Sequence, residues 1–398
     1  MSFIIKKDSE DIIESDLQYL IDNEIIEVKN LEYKRDLPGN SDSEKKELLA
    51  DISSFANASG GDIIYGITQD NSTGKPVDPL EGFPISNADE TKQRLDNIIL
   101  NGLEPQLPSY SYSINPISLS NSNYAFLIRI FRSWFNPHRI SFKNSQKFYS
   151  RNSSGKYLMD IQELRSAFIL SESITQKIKN FVERRLASIV SNESHIQFNN
   201  KEIFVLHLVP LEAFSLGKTF EINNLAKKSY ALMPLHSSNW NARFNIDGYL
   251  TFNVIKTRKP FEKSYVQLYR NGIIEVAEDY LFQHYKENGK ISIIPISEIE
   301  TELMQKLPQY LKNLKEIKVD PPIYLSINIF GVKGFGHPSH VHETYPIDRD
   351  HLNPASILIE SYSANLGELM KPMFDSLWNA CGISKSPNYD EGGNWVKP

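Results

Sequence analysis

Thiols are nearly absent from this sequence: Cys381 is the only cysteine in 398 residues. One thiol excludes an intramolecular disulfide and any zinc site built from several thiolates, and it suits a reducing compartment. Long apolar runs are missing too, and no stretch approaches the roughly 20 residues that a membrane-spanning helix needs. The opening MSFIIKKDSEDIIE meets acid after seven residues, so it lacks the apolar centre of a secretory signal. These absences lead us to expect a cytoplasmic protein with no membrane partner. Positive charge is not in excess either. Lys and Arg number 43 against 49 Asp and Glu, a net charge of −6. Any nucleic-acid surface must therefore be local, made by sorting basic residues onto one face.

What is present is ordinary globular material. The chain is long enough for two domains, and 21 Phe and 19 Tyr can fill two interiors. Ile12, Ile13, Leu17, Leu20 and Ile21 recur at helical spacing after Ser9, a plausible cap. LEYKRDL reads as a strand. DSEKKELLADISSFANAS reads as a helix capped by Asp42 or Ser43, with an apolar stripe of Leu48, Leu49, Ile52 and Phe55, and it stops at Gly60 and Gly61. DIIYGIT is a buried strand and QDNSTGKP its turn. A helix near 88–101, strands around 110–115 and 124–131, and a short helix in DIQELRSAFIL complete the first unit. The expected organisation is an α/β (α+β) two-domain chain. Residues 1–170 form a mixed sheet with helices, 171–195 a linker helix, and 196–398 an α+β domain with helices near 297–314 and 361–381.

Several motifs fail on spacing. SLGKT ends like a phosphate-binding loop, but Glu212 stands where the first glycine belongs, and GVKGFG does not have the dinucleotide spacing. His337, His340, His342 and His351 crowd one segment of loop character without a helical H-E-x-x-H register, so we expect no zinc there.

Charge concentrates in EVKNLEYKRD. Glu27 and Glu32 are five apart, about 140° on a helix and opposite faces on a strand, so they converge only if the chain turns at Lys29-Asn30. Glu32 and Lys34 share a strand face, an arrangement that can hold a divalent metal and steer a phosphate, or simply a solvated surface. From Arg129 to Arg165 eight basic residues face two acids, with Trp134, Phe135, Phe142, Phe148 and Tyr149 interleaved. That stretch is either an RNA surface or an ordinary sheet whose aromatics point inward.

Three blocks in order, EVKNLEYKRD, DISSFANASGGDIIYGITQD and FYSRNSSGKYLMDIQELR, resemble the Schlafen AlbA-like domain family over roughly residues 10–168. The first matches its E-x4-E-x-K pattern, the second its F-A-N-x-x-G-G block, and the third its closing strand and helix. The resemblance implies a metal-dependent ribonuclease centre cleaving tRNA-like and other structured RNA, plausible in bacterial defence or stress response. Carried onto this chain it implies Glu27, Glu32 and Asp70 as ligands of Mg²⁺ or Mn²⁺ and Lys34 as the phosphate-steadying residue. The family's third acid lies three residues after the glycine, where this chain has Gln69. Asp70 is one further on, and Asp62 is held in reserve. Arg132, Arg139, Arg151 and Lys156 are the expected phosphate contacts. A homodimer would supply the second lobe of an RNA cradle. The alternative is a non-catalytic nucleic-acid-binding regulatory protein.

Overall fold

The computed structural model describes residues 7–396 apart from 71, 216, 229–231, 256–261, 281, 283–291 and 338–344. The chain divides into two compact units, Met1–Ser173 and Ile174–Pro398. Both are α+β. No helix among the described residues is long and apolar enough to cross a membrane.

The first unit is a mixed four-stranded sheet with helices on both faces. Its elements are α1 (Glu14–Asp22), β1 (Leu31–Lys34), α2 (Asp42–Ala56), β2 (Gly61–Tyr65), α3 (Ala88–Gly102), β3 (Tyr112–Ser118) and β4 (Tyr124–Ile130). The strand order is β1-β2-β4-β3, with β1 parallel to β2 and the other pairs antiparallel. A hairpin of β5 (Tyr149–Asn152) and β6 (Gly155–Leu158) follows. Strand alternation sorts β1 cleanly. Leu31 and Tyr33 join α1 residues Leu17, Leu20 and Ile21 in one core. Ile63, Phe126 and Ile128 join Leu48, Leu49, Ile52 and Phe55 of α2 in the other. Glu32 and Lys34 point to the α2 face of an edge strand.

Ser41, one residue earlier than expected, caps α2. Its side chain accepts from the Glu44 amide, and the Glu44 carboxylate accepts from the Ser41 amide at 3.2 Å. Only the serine three residues before Glu44 can close this reciprocal pair. At the other end Gly60 has a φ of 69°, and a Cβ there would lie 2.5 Å from the Ile130 carbonyl oxygen. The helix itself ends earlier than expected, at Ala56 with Asn57 as its C-cap, and Gly60 serves the turn that leads into β2, where no other residue fits. Asn57 is a clamp. Its amide donates to the carbonyls of His138 and Tyr149, both at 2.8 Å, and its Oδ1 accepts from the His138 amide at 2.7 Å.

The helix expected in DIQELRSAFIL and the linker expected after it are one helix, α4 (Ile161–Val190), because no glycine or proline interrupts the span. The second unit holds an antiparallel eight-stranded sheet. Its long central strands are β7 (Ile203–Pro210) and β8 (Ile323–Phe330), paired along eight residues. Helices α5 (Ile296–Glu316) and α6 (Leu366–Asn379) pack on one face, sharing a core with Phe204, Leu206 and Ile327. Ile189 of α4 lies in a smaller cluster with Val205 and Tyr265. Burial opposes ionisation of Glu275, but the Arg185 guanidinium at 2.8 and 2.9 Å and His207 at 3.0 Å hold its carboxyl far below the usual range. Of the crowded histidines, His337 packs its ring 4.6 Å from Trp378, and His351 stacks on Phe330 and meets the Asn328 Oδ1 at 2.9 Å. His340 and His342 lie outside the described residues.

Candidate active site

The chain reverses between Glu27 and Glu32. Val28 and Leu31 exchange backbone hydrogen bonds at 3.2 and 2.9 Å, so the turn sits at Lys29-Asn30. Glu27 folds back along the open edge of β1, where one carboxylate oxygen accepts from the Tyr33 amide at 2.7 Å. Desolvation is the largest cause of its raised proton affinity, and the neighbouring Glu32 charge adds to it. The Glu32 charge is thus near enough to be felt at Glu27.

Around Glu32 the charges are tightly paired. Its Oε1 lies 2.7 Å from the Lys34 Nζ and its Oε2 accepts from Arg151 at 2.6 Å. Burial works against the Glu32 carboxylate, but Lys34 and Arg151 overcome it and hold its pKa low. Arg151 is buried, with its guanidinium 3.7 Å above the centre of the Phe55 ring. Lys156 stands opposite Arg151 in the β5–β6 hairpin, bonding Asp51 at 2.7 Å and also Glu47. Lys34 lies 3.3 Å from the other Asp51 oxygen. An edge strand, a helix and a hairpin therefore each contribute one or more members.

Asp51 and Glu47 are the members that the sequence reasoning passed over. The signal was available: Asp51 falls three residues after Leu48 and four before Phe55, on the stripe of α2 that faces the core. An acid there is buried by construction of the helix. Burial, followed by the Glu32 charge, pushes its carboxyl up to about 6, although Lys34 and Lys156 pull the other way. Between the ordinary Asp value and about 6 the folded protein keeps a proton that the unfolded chain has released. Stability is therefore highest below that window and falls as pH rises through it. Asp51→Asn should remove this slope, a difference on the order of 2 kcal/mol between pH 4 and pH 6.5 in urea titrations of the two proteins. Parallel curves would show that Asp51 ionises normally.

Asp70 does not join the cluster. One of its oxygens accepts from the amides of Ser72 and Thr73, at 2.9 and 2.8 Å, and from both hydroxyls. Led by the Ser72 hydroxyl, these bonds hold its carboxyl down to about 2. It closes its own turn. Gln69, in contrast, donates to the Gly74 carbonyl at 3.2 Å and lies near enough to the Glu27 carboxylate to lower its proton affinity. Asp62 is taken as well, in a bidentate buried pair with Arg129 at 2.7 and 2.9 Å. Among the described residues no group of three or more His, Cys, Asp or Glu is placed to hold a metal ion. Magnesium commonly takes only one or two protein carboxylates plus substrate phosphate, and Glu27 and Glu32 are the acids that the turn brings to β1, Glu32 being already paired with Lys34 and Arg151.

The expected phosphate contacts are largely occupied. Arg139 is paired with Glu104 at 2.7 Å and with Gln146 at 2.8 Å, and Arg151 and Lys156 are engaged as described. Arg132 lies over the Trp134 ring at 4.6 Å, and among the described residues it has no carboxylate partner. Arg139, Arg151 and Lys156 therefore balance local acids before they can balance a nucleic acid.

Residues 27–160 match the family model described as Schlafen, AlbA_2. A comparison with curated proteins gives no match. Two solved structures are similar to part of the chain. One is the N-terminal domain of a RecG-related protein from Nitrosomonas europaea, at 18% identity and a TM-score of 0.26, covering 34% of this chain and 86% of that one. The other is the DIP2311 protein from Corynebacterium diphtheriae, at 10% identity and a TM-score of 0.23, covering 36% of this chain and 30% of that one.

Proposed function

We propose that the first unit acts on nucleic acid, and that it is a divalent-metal-dependent endoribonuclease for structured, tRNA-like RNA in the cytoplasm. The observation that carries this reading is the chain reversal that brings Glu27 back to the Tyr33 amide of β1, the strand that also carries the Glu32–Lys34 pair. Perturbed carboxyl groups cluster at functional sites, and a divalent cation would offset the desolvation and, after it, the Glu32 repulsion that raise the Glu27 pKa. The Schlafen AlbA_2 match over the same residues supports nucleic-acid binding or nuclease-like chemistry. Glu27 and Glu32 would hold Mg²⁺ or Mn²⁺, and Lys34 would steady the phosphate. When bound, such an ion makes water a stronger nucleophile and neutralises charge developing on phosphorus oxygens.

The protein's own part is positional. Arg151, wedged between Phe55 and Glu32, fixes one Glu32 oxygen, while the Tyr33 amide fixes Glu27. Asp51 holds Lys34 and Lys156 on one side of the site. A second reading is a non-catalytic nucleic-acid-binding protein, favoured by Asp70 being closed in its own turn and by Gln69 standing beside Glu27. Incubation of the full chain with total tRNA and Mg²⁺ or Mn²⁺, with and without chelator, separates the two. Cleavage that chelator abolishes is the expected result. Binding without cleavage in either metal selects the second reading.

A further inference from the structure

A cavity of about 490 Å³ opens on the far flank of α2 from the charged cluster. Lys45, at its rim, is two residues and so about 200° of helix away from Glu47. The size suits one small organic ligand. Its lining has three distinct chemistries. Ile98 and the half-buried Phe142 ring, both packed on the α2–α3 core, supply an apolar surface. Gln93 and Asn97 of α3 present carboxamides with no hydrogen-bond partner among the described residues. Lys45 and Arg94 supply positive charge; Arg94 is partly tied to the Gly39 carbonyl at 3.3 Å, and Lys45 has no ion pair among the described residues. Glu90 offsets one of the two charges, leaving a net charge of about +1, which suits a phosphodiester.

The backbone fixes the ring. Phe142 and Ser145 form a bridge across a turn whose two inner residues, Lys143 and Asn144, both lie in the left-handed region with φ of 46° and 62°. Neither is glycine, so the surrounding fold holds this turn in place. Lys143 also meets Asp42 at 3.7 Å, tying the turn to the start of α2.

We propose that this cavity takes a single unpaired nucleotide of a nucleic-acid strand. The base lies against Phe142 and Ile98, Gln93 and Asn97 meet its edge, and Lys45 and Arg94 meet its phosphate. An aromatic face beside free amides and a modest positive charge is how unstacked bases are held. The inference rests only on the nucleic-acid half of the function proposed above and requires no cleavage.

The test is calorimetric titration of the full chain with dinucleoside monophosphates, with inorganic phosphate as a separate titrant. Saturable binding is expected, with phosphate alone binding at least tenfold more weakly. Lys45→Glu and Asn97→Ala should each weaken binding about fivefold or more without changing the melting temperature, since neither side chain has a partner in the fold. Phe142→Ala should weaken it most, though some loss of stability accompanies that change. Lys92→Glu, outside the cavity, should leave it unchanged. Absence of saturation, phosphate binding as tightly as the dinucleotide, or parent-like binding by both Lys45→Glu and Asn97→Ala would overturn the proposal. Because cleavage is not the readout, a protein that binds but never cuts RNA supports this site while rejecting the nuclease reading. One that cuts but shows no saturable binding does the reverse.

Discussion

Glu27→Gln should lower metal-dependent RNA cleavage by about 100-fold or more while leaving the melting temperature where it was. The glutamine keeps an oxygen for the Tyr33 amide, so the edge of β1 stays closed and only the negative charge is lost. Glu32→Gln should behave differently. Its carboxylate is the anion facing the buried Arg151, and a neutral amide leaves that guanidinium without a counter-charge. We expect loss of cleavage together with a stability loss of about 1–3 kcal/mol. The contrast is diagnostic, because a residue serving only the fold would lower activity in step with folded fraction. If both variants cut at the parent rate, neither carboxylate belongs to the reaction.

The largest effect on stability should come from a residue that the sequence offered as a spare ligand. Asp62 and Arg129 stand directly opposite each other on β2 and β4, both buried, with two hydrogen bonds between them. Arg129 also donates to the Lys7 carbonyl. Asp62→Ala removes the anion but leaves the cation in a low-dielectric interior, which typically costs about 3–5 kcal/mol. Arg35→Ala, by comparison, breaks only the exposed pair with Asp36 and should change almost nothing. Hydrogen exchange in urea, followed peptide by peptide, would locate the loss. Protection should fall across residues 7–173 and hold in the second unit. Unchanged protection around β2 and β4 would mean that the pair contributes no net stability.

The parts of this fold that were readable are those governed by local chemistry. The turn at Lys29-Asn30 follows from the spacing of two acids, and the turn at Gly60 between α2 and β2 follows from the absence of a side chain. Lys34 shares a face with Glu32 because strands alternate. The unreadable parts depend on which segment lies across from which. Arg151 could have pointed outward by the same alternation; it is turned inward because Phe55 and Glu32, far away in sequence, give it a ring and a counter-charge. Asp70 looked available because proximity to a glycine is a count along the chain, whereas its hydrogen bonds to Ser72 and Thr73 are set by a turn. Asp51 was hidden by its neighbours: an apolar stripe suggested only core packing, and the acid within it was read past.

The asparagine of the FAN block shows how a motif can be specific without being catalytic. Asn57 satisfies backbone groups 81 and 92 residues away, which is a demand on geometry that few side chains could meet. The same block that makes the family recognisable is therefore a seam in the fold.

The two faces of the first sheet have a practical consequence for cutting the chain. The family match begins at residue 27, yet Leu17 and Leu20 of α1 are fully buried against Leu31, Tyr33, Ile64 and Leu127. A fragment trimmed to the matched segment would bare one whole side of the sheet to water, an apolar surface of the kind that drives self-association. It would also strip Arg129 of its bond to the Lys7 carbonyl. Recognisable and self-sufficient are different boundaries here. A soluble piece of this protein has to start upstream of the motif, no later than Lys7, and run past the hairpin that carries Arg151.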